Sequence, residues 1–458
     1  MQVAESRGQW SSRLGFILAA AGSAVGLGNI WRFPYVTGEN GGAAFVVVYL
    51  GCVFLIGLPL LWNELAIGRA SGKDAIGAFL ALKKGTPFVI TGVFCLLCCF
   101  LVLGYYSVIA GWTIGYAMTE AVGVKLEFEK FASDPTWVIP LFALFMLMTV
   151  LIVQGGVQKG IERWAKVLMP LLFLIVLVVI VRSVTLPGAL AGIEYYLKPD
   201  FGKINGRVII TALGQAFFSL SVGWGLMITY GSYLEKHANI VTCGVWVVVA
   251  DTLVALLGGF MVFPAVFAFG MQPDAGTALT FKTLPAVFSQ MPGGAFFGCL
   301  FFLLLMVAAL TSSISMLEVP VAYLVDEKGW SRRAAAWTVG LAAFVVGLPS
   351  ALAAGASQWL SSISLFGKTG FMDIMDLLVG TMLIVVIALL CSVFTGYVWG
   401  TRKAVEEISS GCESFNRPLI GGLSLGRIWA VFVSVICPLV IGLVLANMIA
   451  ELFGKDLF

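Results

Sequence analysis

Charge is scarce in this chain: Asp, Glu, Lys and Arg make up 11% of its 458 residues, where soluble domains carry about 25%. Hydrophobic residues make up 60%. The length alone would allow three soluble domains at about 150 residues each, but that reading needs alternating polar faces and charged linkers that are missing here, so a single polytopic membrane domain remains. Histidine is scarcer still. The single His237 follows Glu235-Lys236 in a loop, and no His-Glu-x-x-His or Gly-x-Ser-Gly pattern occurs, so an intramembrane hydrolase would have no base. Basic runs are absent and the net charge is only +3, which sets nucleic acid aside. A P-loop is also missing. Gly367-Lys368-Thr369 mimics its end, but position 362 is Ser362 rather than glycine, which disfavours an ATP-driven pump. Gln2 to Arg13 is polar and further apolar stretches follow the first, so no cleavable leader is expected. All but Cys412 of the nine cysteines lie in apolar runs. Cys95-x-x-Cys98 has metal or redox spacing but no histidine or carboxylate beside it, and reads as a pair of small hydrophobes.

What the chain does have is long apolar stretches. About 20 such residues cross a bilayer as a helix, because every backbone donor and acceptor must be satisfied within the segment. Eleven stretches qualify, near 13–36, 41–68, 88–121, 136–154, 165–182, 208–234, 239–271, 296–325, 334–354, 371–400 and 427–453. Gln272 to Gly294, rich in Pro and Gly, reads as an external loop with short helices. With a cytoplasmic N-terminus, seventeen Lys and Arg residues face inside and nine outside, with Arg32 within the membrane. The positive-inside rule therefore puts the N-terminus in the cytoplasm of a cell (inner) membrane and Phe458 outside.

Spans one and six carry matching interruptions, Gly22-Ser-Ala-Val-Gly-Leu-Gly-Asn29 and Ser219-Leu-Ser-Val-Gly-Trp-Gly225. Each glycine weakens a helix by about 1 kcal/mol relative to alanine. Close packing through small residues would use the same composition. Breaks five spans apart, however, are what two inverted five-span repeats produce, here about 13–182 and 208–400, with an extra helix at about 427–453. An unwound helix offers carbonyls to a cation and N–H groups to a carboxylate, which suits sodium and an amino acid.

Ionisable groups at mid-membrane are costly and mark function. Arg32 lies one turn beyond Gly28. Asp376 lies near the outer end of span ten, and snorkelling would also explain both. Asp251 sits about a dozen residues into span seven, too deep to snorkel, and a bound cation is its most economical partner. Glu64 is expected to cap backbone amides freed by a break. The hydroxyls of Thr311-Ser312-Ser313 add to the set, although serines in membrane helices usually bond back to their own turn.

The segments Trp10-Ser-Ser-Arg13-Leu-Gly-Phe, Gly22 to Tyr35, Glu39-Asn-Gly-Gly-Ala-Ala-Phe45, Tyr105-Tyr106, Gln215 to Ser221, Thr311-Ser312-Ser313 and the Asp376 region resemble the neurotransmitter:sodium symporter family over nearly the whole chain. The resemblance implies an all-α fold with eleven transmembrane helices, a 5+5 inverted-repeat core, helices one and six broken, and sodium-coupled transport by alternating access. It implies no enzyme activity. Sodium site one would use the carbonyl of Ala24, Asn29, Ser219 and Asp251 with the substrate carboxylate; site two would use the carbonyls of Gly22, Val25 and Ala308 with Thr311 and Ser312. The substrate amine would meet carbonyls around Ala24, Phe218 and Ser219 and the hydroxyl of Ser221. Its carboxylate would meet the N–H groups of Leu27 and Gly28 and the Tyr106 hydroxyl. Tyr106 and Phe218 resemble an aromatic lid, Arg32 with Asp376 an outer gate, and Arg7 with Asp326, near Tyr233 and Glu318, an inner gate.

Two departures shape the expected substrate. Monoamine-carrying relatives have aspartate where this chain has Ala24, which favours an amino acid with its own carboxylate. Chloride-dependent relatives use a Tyr, a Gln and two Ser; Tyr49, Gln215 and Ser219 are present, but the last position is Ala255, and Asp251 supplies fixed negative charge. No chloride is expected. Trp224, between Gly223 and Gly225 and surrounded by Val102, Phe218, Ser312 and Met316, should leave room for glycine or alanine, with larger hydrophobic amino acids as the alternative. A sensor or channel on the same fold stays open on residues alone.

Overall fold

A computed structural model describes residues 8–271, 279–418 and 420–455. Among the described residues nine helices are long and apolar enough to cross a membrane: Ala43–Ser71, Val89–Ala121, Pro135–Val153, Val157–Val184, Ile240–Ala268, Gly294–Asp326, Arg332–Leu352, Phe371–Ser410 and Leu425–Leu452. The first span is a bent pair, Arg13–Ala24 and Gly28–Glu39, turned by 51°. The sixth is Gly206–Ser219 followed, after a non-helical stretch, by Leu226–Gly231. With the bent pair counted as one span, ten of the eleven expected spans are long and apolar enough to cross a membrane, and these two short helices lie where the sixth was expected.

Their starts are set chemically. Ser12, Asp134, Asn205, Asn239, Ser331 and Ser424 each accept a backbone N–H of the first turn that follows, and such caps satisfy donors that the helix itself leaves free. The tenth run continues beyond the bilayer stretch, but Gly400, with φ of 98°, turns the chain there. Thr401–Ser410 leaves as an amphipathic helix, with Ala404 and Ile408 buried. Gly367-Lys368-Thr369 sits in a tight hairpin pairing Ser364–Leu365 with Lys368–Thr369, so its likeness to a phosphate loop is one of sequence alone. The hairpin defines one face of the molecule, and Trp10, before span one, the other.

Both halves of span one pack on span seven, and both halves of span six pack on span two, while spans three and eight lie along one another. That exchange of partners is what an inverted repeat produces. It also brings the two breaks together at mid-height. Of the expected loop 272–294, residues 272–278 lie outside the described residues; Leu279–Thr283 and Leu284–Gln290 are short helices, as expected.

Candidate functional site

The break in span one begins where Val25 turns extended and its N–H closes the helix on the Ala21 carbonyl, 2.7 Å away. Gly26 has to be glycine: a Cβ there would lie 2.5 Å from the Ser312 hydroxyl and 3.1 Å from that of Tyr106. At Gly28 a Cβ would lie 2.8 Å from the Phe218 ring. In span six, Gly223 and Gly225 take φ of 83° and 77°, which costs glycine little and other residues much. Ser221, at φ 54°, is one of two described non-glycine residues with positive φ. Its hydroxyl donates to the Ser23 carbonyl at 3.0 Å, which stitches one break to the other. Glu64 accepts the Gly223 N–H at 2.6 Å, the capping role expected of it.

Asp251 is fully buried, and among the described residues no ion pair reaches it. One carboxylate oxygen accepts from Asn29 Nδ2 at 2.8 Å and the other from Ser219 Oγ at 2.7 Å. Asn29 Nδ2 also reaches Ser219 Oγ at 3.0 Å, and Tyr49 donates to the same hydroxyl at 3.2 Å. Gln215 binds the Gly28 carbonyl, and Ala255 lies one turn beyond Asp251. Asn29, Ser219 and Asp251 are thus brought together, with Ala24 buried nearby in chain order. A buried carboxylate without a cationic side chain, among oxygen donors, suits a hard monovalent cation. Such an ion would favour the opposite orientation of the Asn29 amide, with Oδ1 turned inward from its present bond to the Gly26 N–H.

The second set converges as well. Thr311 Oγ1 lies 3.3 Å from the Val25 carbonyl oxygen and 2.9 Å from that of Ala308, and Ser312 Oγ lies 3.4 Å from each. Gly22 faces Thr311, whose Cβ would stand 3.3 Å from a Cβ added there. These are again oxygen donors only.

Above the breaks a cavity of about 380 Å³ runs from Leu27, Gly28, Tyr106 and Phe218 to Phe128, Phe281 and Thr369 at the hairpin face. The Tyr106 hydroxyl is 3.4 Å from the Leu27 N–H. Arg32 and Asp376 both line the cavity, and no ion pair joins them: Arg32 lies over the Phe218 ring at 4.6 Å, and Asp376 accepts from Tyr105 at 2.9 Å. At the mouth, Lys282 pairs with Glu129, and that hydrogen bond holds the Glu129 carboxyl below its usual range. Trp224, Val102 and Met316 are buried, at 2%, 1% and 5% exposure. Val102 and Met316 stand one turn from Tyr106 and Ser312 on their helices.

The opposite face is closed. The Trp10 indole donates to the Tyr230 carbonyl at 3.0 Å, and its ring packs on Phe16, Tyr230 and Tyr233. Tyr233 donates to Glu318 at 2.6 Å, and Glu318 pairs with Arg332. Asp326 is partly buried at this end. Arg7 lies outside the described residues. Arg332 was not expected from sequence as Glu318's partner. Nor was buried Arg69, which ties the end of span two to Glu407, Ser410 and the Ala238 carbonyl.

Residues 7–140 and 124–455 match the Sodium:neurotransmitter symporter family. The chain belongs to that family. This symporter is 40% identical over 453 residues (97% of this chain and 98% of the relative) to the "Uncharacterized sodium-dependent transporter YhdH" of Bacillus subtilis (strain 168). It is 38% identical to an "Uncharacterized sodium-dependent transporter" of Haemophilus influenzae, covering 95% of this chain and 97% of the relative. Among solved structures it resembles MhsT in complex with L-phenylalanine, with a TM-score of 0.87 and 40% identity, covering 96% of this chain and 99% of that one. The symporter is therefore a multi-pass, sodium-dependent membrane transporter and not an enzyme.

Proposed function

We propose that this symporter carries a small neutral amino acid, glycine or alanine, together with sodium held at the two oxygen-donor sets, and needs no chloride. The observation that carries the small-substrate reading is the buried Trp224 ring, packed edge-on to Phe218 at 5.8 Å between centroids: the cavity descending from the hairpin face ends on Leu27, Gly28, Tyr106 and Phe218 and does not extend past them. The substrate carboxylate would meet the Leu27 and Gly28 N–H groups and Tyr106, where the second half of span one presents its positive end. The amine would meet carbonyls near Ala24, Phe218 and Ser219 and the Ser221 hydroxyl. Sodium at Asp251 would be neutralised by a fixed carboxylate beside Ala255, which supports chloride independence.

The excess of basic residues on the Trp10 face supports a cytoplasmic N-terminus and an external hairpin. The open cavity is then external, and Arg7 with Asp326 belongs to the inner closure. Arg32 and Asp376 would pair once substrate draws the two sides of the cavity together. A second reading, transport of larger hydrophobic amino acids, is favoured by the L-phenylalanine in the solved relative. Competition by all twenty amino acids for sodium-dependent binding of labelled alanine to purified protein, in chloride and in gluconate, separates the readings. Strong competition by glycine but not phenylalanine, unchanged in gluconate, is expected. Preference for phenylalanine, or loss of binding in gluconate, would overturn the corresponding part.

A further inference from the structure

Ser315 is assigned no ligand role by the site described above, yet it stands where three elements meet. It is fully buried on span eight, one turn below Ser312. Its hydroxyl receives that of Ser23 at 2.7 Å and donates to the Ser312 carbonyl at 2.7 Å. Ser23 lies at the end of the first half of span one, and its carbonyl collects the hydroxyls of Ser221 and Ser312, at 3.0 and 3.1 Å. The first half of span one is therefore tied to span eight through this hydroxyl, next to the second cation set. A serine that only satisfied itself would bond within its own turn and nothing more.

We propose that Ser315 is a positioning residue. It holds the first half of span one closed against span eight, and so links occupancy of the second cation set to closure of the Trp10 face. This rests on the proposed sodium coupling for its link to the cation, but the tie itself is testable without it. Loss of one buried hydroxyl bond weakens closure by about fivefold.

The test uses Ala19→Cys, a buried position on the first half of span one, in a Cys299→Ser, Cys412→Ser background that removes the two partly exposed native thiols, and follows its labelling rate with a maleimide in purified protein. Ser315→Ala and Ser23→Ala should each speed labelling about fivefold without sodium. Saturating sodium should suppress the gain, and the half-saturating sodium concentration should rise by a similar factor. The double variant should be little faster than either single one, and Ser315→Thr, which keeps a hydroxyl, should restore slow labelling. Unchanged labelling in Ser315→Ala, or simply additive effects, would overturn the proposal. If Ser315→Ala does not fold, Ser23→Ala and Ser315→Thr decide the matter by the same readout. If labelling responds as expected but sodium has no effect in any variant, the tie stands and the sodium coupling proposed above fails.

Discussion

Replacing Asp251 by asparagine removes the buried carboxylate charge from the proposed first cation set while keeping nearly the same shape. The carboxylate is fully buried and takes hydrogen bonds from Asn29 at 2.8 Å and Ser219 at 2.7 Å. At an effective dielectric of about 20, a unit charge about 4 Å from a monovalent cation contributes about 4 kcal/mol. An amide oxygen at the same position recovers part of that attraction as a dipole. The net loss is about 2 kcal/mol, or roughly thirtyfold in half-saturating sodium. The assay is a sodium titration of substrate binding to purified Asp251→Asn, with choline replacing sodium at constant ionic strength and chloride varied separately. Weakened sodium dependence, with a gain of chloride sensitivity, is expected. A sodium midpoint within twofold of the unmutated protein, together with lower thermal stability, would show that Asp251 serves only helix packing and would refute the reasoning.

Trp224→Leu should remove the ring packed against Phe218 and make room there, so leucine and phenylalanine should compete for alanine uptake where they previously did not; an unchanged competition profile would contradict this. Arg32→Ala and Asp376→Ala should slow transport about tenfold while changing equilibrium binding little, because no ion pair joins the two groups in the cavity and the proposed gate would form only on closure. A double variant whose transport loss is the sum of the single losses would rule out their pairing. Arg332→Ala leaves Glu318 buried without its cation, which costs about 3 kcal/mol when one partner of a buried pair is lost. It should lower thermal stability clearly, and adding Glu318→Gln should restore much of it; no rescue would mean that Arg332 acts elsewhere.

The spans were legible because bilayer length and backbone satisfaction leave few alternatives, and the breaks because Gly26, Gly28, Gly223 and Gly225 are the residues that tolerate close approach and positive φ there. Asp251 and Glu64 stood out as ionisable groups in apolar surroundings. What sequence could not give was pairing at a distance. Arg332 meets Glu318 across the turn between spans eight and nine, and Ser23 meets Ser315 across 292 positions. Arg69 counted only as an interior positive charge, while the structure buries it against Glu407. Arg32 and Asp376 were expected from sequence as an outer gate; the structure places both on the cavity without an ion pair between them, and such a separation is not carried by composition and spacing.

The measurement that bears most directly on the central claim is uptake of labelled alanine into proteoliposomes under an imposed sodium gradient. Concentrative uptake that vanishes when potassium replaces sodium, and persists when gluconate replaces chloride, is predicted. No sodium-dependent accumulation of alanine or any other amino acid would contradict the account.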